Sequence, residues 1–204
     1  GSTVSGSAYN MFSDTSPAFP TQTVQNASLI VDALDRVHVS FYSTLNGATV
    51  HHMWFDPSAT TPKWSAATPL GNSNTQADYY SCMAADNAGN TYVIYGVDVQ
   101  TTKTADPFWE LRKWDGATQT WGNPVPIYKT TRAQYKTSGG ENDGRVICLA
   151  CDEVTGELYF TYRNFETGEF LLARWADGDP SPTTFAKLCD TGSHGQWIAR
   201  QCSC

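Results

Sequence analysis

The 204-residue chain contains no apolar run near the ~20 residues that a membrane-spanning helix needs. Positive charge is also scarce: 13 Lys and Arg face 20 Asp and Glu, for a formal charge of −7. A phosphate backbone is repelled by such a surface, since nucleic-acid binding is largely neutralisation by Lys and Arg, so nucleic acid is excluded as a partner. The basic residues are scattered and form no polybasic stripe for anionic lipid. Charged residues make up only 16% of the chain, against 40% hydrophobic and 13% aromatic, a balance that excludes a disordered protein. No signal peptide and no initiator Met open the sequence, which is therefore read as a mature or excised piece. Neutral or weakly charged partners remain, and sugars fit that description.

Two features point to an oxidising compartment. Six cysteines are present, at Cys82, Cys148, Cys151, Cys189, Cys202 and Cys204, and a single N-glycosylation triplet, "NAS", sits at Asn26. The expectation is a secreted or cell-surface protein, with the cysteines as disulfide candidates and Asn26 as a glycosylation site. Six cysteines allow fifteen pairings. "CLAC" and "CSC" resemble zinc ligand pairs, but along a strand Cys148 and Cys151 project to opposite faces. Cys202 and Cys204 share a face about 6.6 Å apart, too far for easy bridging. Bonds between different strands are expected instead of a metal site, and nothing calls for a cofactor.

Internal repetition is the main signal. "LIVDALDRVHVSFY", "CMAADNAGNTYVIY" and "CLACDEVTGELYFTY" align on Asp32, Asp86 and Asp152. Each stretch reads as a short apolar strand ending on Asp, a tight turn, and a second strand alternating with period two: Val37, Val39, Phe41; Tyr92, Ile94; Leu158, Phe160, Tyr162. A third strand closes on Trp54, Trp114 or Trp175, and a fourth is marked by Trp64, Trp121 or Phe185. Four short antiparallel strands per unit predict an all-β propeller, with the Trp residues packed between neighbouring blades.

The chain ends extend the pattern. "WIARQCSC" aligns with "ICLAC", and "AYNMFSD" with the later "AF" aligns with "LRKWDG" and "TW". The expected organisation is one propeller domain or propeller segment over 1–204. Residues 1–26 are the outer strands of a split blade, 27–70, 78–127 and 145–188 are whole blades, and 194–204 are the first strand of the split blade. Either the ends close a small four-bladed ring, or the chain is a segment of a larger propeller. Joined, the two pieces fall about one strand and its turn short of a full unit, which favours the segment. Unmatched blade edges also invite self-association.

At the motif "D-x-x-G-x-x-Y-V-x-Y … L-x-x-W-D-G … W" the chain resembles the BNR-type, Asp-box propellers of the sialidase superfamily. "KWDGATQTW" (113–121) resembles a degenerate Asp-box, the hairpin between a blade's third and fourth strands, and "ADGDPSPTTF" (176–185) is a looser copy. The resemblance spans about 27–188. The Ser or Thr that opens a strict Asp-box is missing before Asp115. There is no Arg-Ile-Pro run either, so the arginine cluster that grips a sialic acid is not carried over. Propellers of this kind serve as hydrolases, lyases, lectins and scaffolds alike.

Sites on such a fold are expected on the loops entering the innermost strands (71–80, 122–145, 188–197) and joining the second and third strands (43–49, 96–108, 163–169). The segment "YKTTRAQYKTSGGENDGR" (128–145) is long for a connection and rich in polar groups. Asp78, Tyr79, Arg145, Arg163, His194 and Trp197 are the ligand-binding candidates. A Trp or Tyr face stacks on a sugar ring while Arg, Asp and His hydrogen-bond its hydroxyls. His194 paired with Asp143 or Glu166 is the candidate for acid–base work, although no catalytic residue is assigned. The "HH" at 51–52 sits on a third strand with its rings on opposite faces, so the two cannot chelate one metal. The leading expectation is a lectin-like carbohydrate-binding propeller whose partner is a glycan or polysaccharide. The alternatives are part of a glycan-degrading enzyme, sialidase-like or lyase, and a structural subunit of an extracellular assembly.

Overall fold

The period-two runs all form strands, and each run pairs with its neighbour in the chain. The computed structural model describes residues 24–43, 49–71, 77–97, 108–131, 133, 148–164 and 166–190, with the side chains of 24–26, 77–80 and 189–190 outside that set. A first antiparallel sheet follows the order β1 (Val24–Val31), β2 (Val37–Ser43), β3 (Thr49–Phe55), β4 (Thr68–Pro69). The second runs β5 (Ala77–Ala85), β6 (Thr91–Val97), β7 (Phe108–Asp115), β8 (Thr120–Trp121), with β9 (Val125–Lys129) also on β7. The third is β10 (Leu149–Cys151), β11 (Leu158–Asn164), β12 (Glu169–Trp175), β13 (Thr183–Asp190). Within the second sheet β8 and β9 share the same edge of β7, a single outer strand interrupted at Gly122–Pro124. Pro124 and Pro126 cannot donate to a ladder, which explains the break. Part of the segment 122–145, expected as loop, is therefore strand. Of the pieces expected to form a split blade, 1–23 and 194–204 lie outside the described residues, while 24–26 belong to β1.

The sheets pack face to face. Ile30 and Val50 of the first meet Met83, Val93, Tyr95 and Val97 of the second. From its opposite face, Ala84, Tyr92, Ile94, Trp109 and Leu111 meet Leu149, Leu158, Phe160, Tyr162, Ala173 and Trp175 of the third. A middle sheet covered on both sides has no solvent face, so all seven residues of β6 ("TYVIYGV") are buried. The first strands, β1, β5 and β10, lie side by side.

One carboxylate organises each first turn. Asp32 Oδ1 accepts the backbone N–H of Leu34 and Arg36, both at 2.9 Å. Asp86 Oδ1 accepts those of Ala88 (3.0 Å) and Asn90 (2.9 Å). Asp152 Oδ1 accepts those of Val154 (3.0 Å) and Thr155 (3.2 Å). Each turn also needs one left-handed residue, which is Asp35 (φ 59°), Gly89 (φ 80°) or Gly156 (φ 73°). Asp and Gly tolerate that conformation where bulkier side chains do not.

Register corrects one sequence equivalence. Trp114 pairs with Thr91 and Trp175 with Leu158, but the residue in that place of the first sheet is Phe55, opposite Val37. Trp54 is one step off, opposite His38, and faces Trp114 at 5.9 Å between ring centres. A one-residue slip moves a side chain to the other face.

The joint between the first and second sheets is held by a buried polar chain. Arg36 Nε donates to Asp32 Oδ2 at 2.7 Å, and its two terminal nitrogens donate to the carbonyls of Gly116 (2.9 Å) and Gly89 (3.0 Å). Its guanidinium also lies 4.7 Å from the Trp114 ring centre. His38 Nε2–H donates to Asp32 Oδ2 at 3.1 Å, which leaves Nδ1 to accept His52 Nε2–H at 3.0 Å. Burial pushes the Asp32 carboxyl up, but Arg36, His38 and the turn amides outweigh it, so it sits below the ordinary carboxylate range. As expected of a third strand, His51 and His52 point to opposite faces: His51 stacks on Phe41, while His52 meets Trp121 edge-on at 4.9 Å. Burial, with His38 adjacent, lowers His52 to about 3.

Two outcomes follow from this joint. A Cβ at Gly116 would overlap the Gly89 carbonyl oxygen, so Gly116→Ala is expected to cost ~1–3 kcal/mol in urea unfolding. His52 is neutral when folded and titrates near 6.5 when unfolded, so its contribution is complete above pH ~6.5 and is lost as pH falls towards 3. Denaturant midpoints taken between pH 7 and pH 4 should therefore fall, and His52→Leu should flatten part of that slope.

Candidate functional site

The repeat is not uniform at its joints, and the difference opens a groove. Lys113, opposite Tyr92 in the register, occupies the place that Trp54 holds opposite His38. Asn90 stands where Arg36 does, four residues after the turn aspartate, and it stays local. Its Nδ2 donates to Asp86 Oδ2 at 2.8 Å, and its Oδ1 accepts Gly116 N–H at 3.2 Å. Two space-filling side chains of the first joint are thus absent from the second. A cleft of about 620 Å³ results there, between the β7–β8 hairpin and the turn after β12. That size falls among ordinary small-molecule sites, ~300–1,000 Å³.

The walls are polar with an aromatic side. Lys113 Nζ bridges them, 2.6 Å from Asp177 Oδ2. Asp115 Oδ1 accepts the N–H of Ala117 (2.8 Å) and Thr118 (2.9 Å), which shapes the hairpin. These amides hold the Asp115 carboxyl below its usual range, so it stays an anion at neutral pH. Thr118 and Thr120 share a hydroxyl contact at 2.8 Å, and both are exposed. Across the cleft, Trp175 Nε1 donates to the Asp179 carbonyl at 2.9 Å, and Asp179 Oδ2 accepts Ala176 N–H at 3.0 Å. Trp121 and the exposed Asn123 complete the lining. Among the described residues, three carboxylates against one ammonium leave the cleft net negative. Among the described residues no group of three or more His, Cys, Asp or Glu is placed to hold a metal ion.

The sequence-derived candidates lie elsewhere. Arg163 is half-buried near the end of β11, opposite Phe170, whereas the cleft adjoins the other end of that sheet, where Trp175 pairs with Leu158. Asp78 and Tyr79 belong to β5, but their side chains are outside the described set, as are those of Asn26 in β1 and Cys189 in β13. Arg145, His194, Trp197, Asp143, Cys202 and Cys204 lie outside the described residues altogether. Glu166 is exposed in the turn after β11, its N–H donated to Asn164 Oδ1 at 2.9 Å. Sequence alone does not show the cleft, because Trp54 and Trp114 align by residue type. With Phe55 there instead, Lys113 stands out as the small-headed, polar counterpart of Trp54.

The expected disulfides are not seen among Cys82, Cys148 and Cys151. Cys82 and Cys151 pack against the core between the second and third sheets. Burial, with Asp86, Asp152 and Glu153 nearby, pushes the Cys151 thiol up to about 12. The thiolate is the nucleophile, so folded Cys151 should react with iodoacetamide at pH 8 at least tenfold more slowly than the unfolded chain, read by peptide mass.

No protein-family model matches the chain, and no curated protein matches it by sequence. Among solved structures it is similar to the Hadza microbial sialidase Hz136, with a TM-score of 0.52 and 11% identity over 80% of this chain. The chain spans 37% of that sialidase's length. It also matches an N-acetylgalactosamine deacetylase from F. plautii, solved with blood group B trisaccharide. There the identity is 15% over 86% of this chain and 56% of the other, and the TM-score of 0.45 is too loose to carry a structural argument. At these identities the likeness to the sialidase is one of fold.

Proposed function

We propose that this chain binds carbohydrate, without breaking a bond, in the cleft between the second and third sheets, and that its sheets are consecutive blades of a BNR-type propeller in a secreted or cell-surface protein. The observation that carries the reading is the cleft's lining: exposed hydroxyls of Thr118 and Thr120 and the Asn123 amide, in a hollow sized for a sugar. Hydroxyls and amides match a sugar's donors and acceptors. Asp115 is held as an anion by its own hairpin, so it serves as an acceptor and not as a proton donor. Among the described residues no histidine lines the cleft. The likeness in fold to a protein named a sialidase is consistent with a glycan partner. The net negative lining favours neutral over acidic sugars.

A glycan array tests this directly. Binding should concentrate on neutral glycans, and Asn123→Ala with Thr118→Val should weaken it at least tenfold, about 1.4 kcal/mol, without lowering the melting temperature. Reducing-end assays on the bound glycans should stay at background. Silence across neutral and acidic glycans would overturn the reading, and sugar release would overturn its non-catalytic part.

A further inference from the structure

The opposite face of the second sheet carries another groove, of about 410 Å³, against the end of the first sheet. Two charged side chains two residues apart on β7, Glu110 and Arg112, line it together with Phe108, Leu70 and Pro124. Alternation along a strand puts both on one face, with Cα atoms about 6.6–6.8 Å apart.

Each of these groups is anchored and left with spare capacity. Arg112 Nε donates to the Gly122 carbonyl at 3.0 Å and Nη1 to the Leu70 carbonyl at 2.7 Å, while the guanidinium lies 5.8 Å from the Trp121 ring centre. Glu110 Oε2 accepts the Tyr95 hydroxyl at 2.6 Å, and that hydroxyl also lies 3.2 Å from the Leu70 carbonyl oxygen. Among the described residues, Oε1 of Glu110 accepts no hydrogen bond, the Arg112 guanidinium also interacts with the Tyr95 hydroxyl, and the two charged side chains form no ion pair with each other. An arginine and a glutamate this close ordinarily neutralise each other. Here backbone carbonyls and a phenol hold them apart, and what remains is a fixed donor beside a fixed acceptor. Fixing both groups in advance removes much of the ordering cost of binding a ligand between them.

We propose that this groove is a second carbohydrate subsite, which takes one uncharged pyranose. Arg112 Nη2–H donates to one ring hydroxyl, Glu110 Oε1 accepts the O–H of another, and the Phe108 ring faces the sugar's C–H surface. The choice of an uncharged sugar comes from the pair itself: Glu110 opposes a uronate or sialate carboxylate, and Arg112 opposes an amino sugar. The subsite rests on the carbohydrate reading above, and its lining residues are distinct from those of the larger cleft, although Arg112 is anchored on Gly122 and Trp121, which that cleft shares. Both sites lie on one sheet, on opposite faces of β7, so one chain engages a branched or repeating glycan at two points.

Protein-observed NMR titration of the whole chain separates the two sites. With a panel of neutral methyl pyranosides, the Arg112 Nε–H resonance reports this groove and the Asn123 side-chain amide reports the larger cleft. Both are expected to shift, and methyl glucuronide is expected to leave Arg112 unmoved. Glu110→Gln, whose amide oxygen still accepts the Tyr95 hydroxyl, should weaken binding here at least tenfold with Asn123 shifts unchanged. Arg112→Gln, with the Glu110 backbone amide as reporter, should do the same, and Phe108→Leu serves as the third variant if either substitution lowers the melting temperature. Movement of Asn123 alone would overturn the second subsite and leave the main reading standing, whereas movement of Arg112 alone would do the reverse. A larger Arg112 response to methyl glucuronide than to any neutral sugar would overturn the ligand class. No movement at either site would overturn both.

Discussion

Each sheet depends on a single aspartate at the end of its first strand. A chain that reverses within four or five residues leaves backbone N–H groups pointing into the turn, and unpaired buried amides are costly. Asp32, Asp86 and Asp152 each satisfy two of them with one oxygen. The second oxygen is then available for other work, and its use differs from sheet to sheet. On Asp32 it binds Arg36 and His38, and on Asp86 it binds Asn90 and Tyr92. The turn is thus both the repeated element and the point at which the repeats diverge.

That divergence decides which joints are closed. Arg36 spans from the first sheet to two carbonyls of the second, with Trp54 packed beside it against Trp114. Breaking such a buried pair by removing one partner typically costs ~3–5 kcal/mol, because a charge is left without its counterpart. Asn90 and Lys113 are too short, or too strongly hydrated, to fill the same space at the next joint. The cleft exists because the stabilising residues of one joint are missing from the other. This is why a hollow with polar walls opens there while the cores on either side are filled by apolar side chains.

Much of this was legible in the sequence. The period-two runs, the Asp-led turns and the Trp-marked outer strands gave three four-stranded antiparallel units, and the opposed rings of His51 and His52 followed from alternation alone. Two things were not legible. One was the register of "WFD" against "WDG": both place Trp near Asp, and only strand pairing reveals that Phe55 takes the place of Trp114. The other was the cleft, whose residues are ordinary turn and strand residues by type. Lys113, Thr118 and Asn123 become a site only because of what the neighbouring sheet lacks, and a sequence read one repeat at a time does not show a missing neighbour. The long polar loops draw sequence reasoning instead, and of the six ligand-binding candidates there only Arg163 has a described side chain.

The most direct measurement is a crystal structure of the chain grown with a saturating neutral oligosaccharide. The account predicts a sugar ring between the second and third sheets, within hydrogen-bond reach of Asn123 and the Thr118 hydroxyl. A glycan bound elsewhere on the protein, with only water in that cleft and in the Glu110–Arg112 groove, would contradict it.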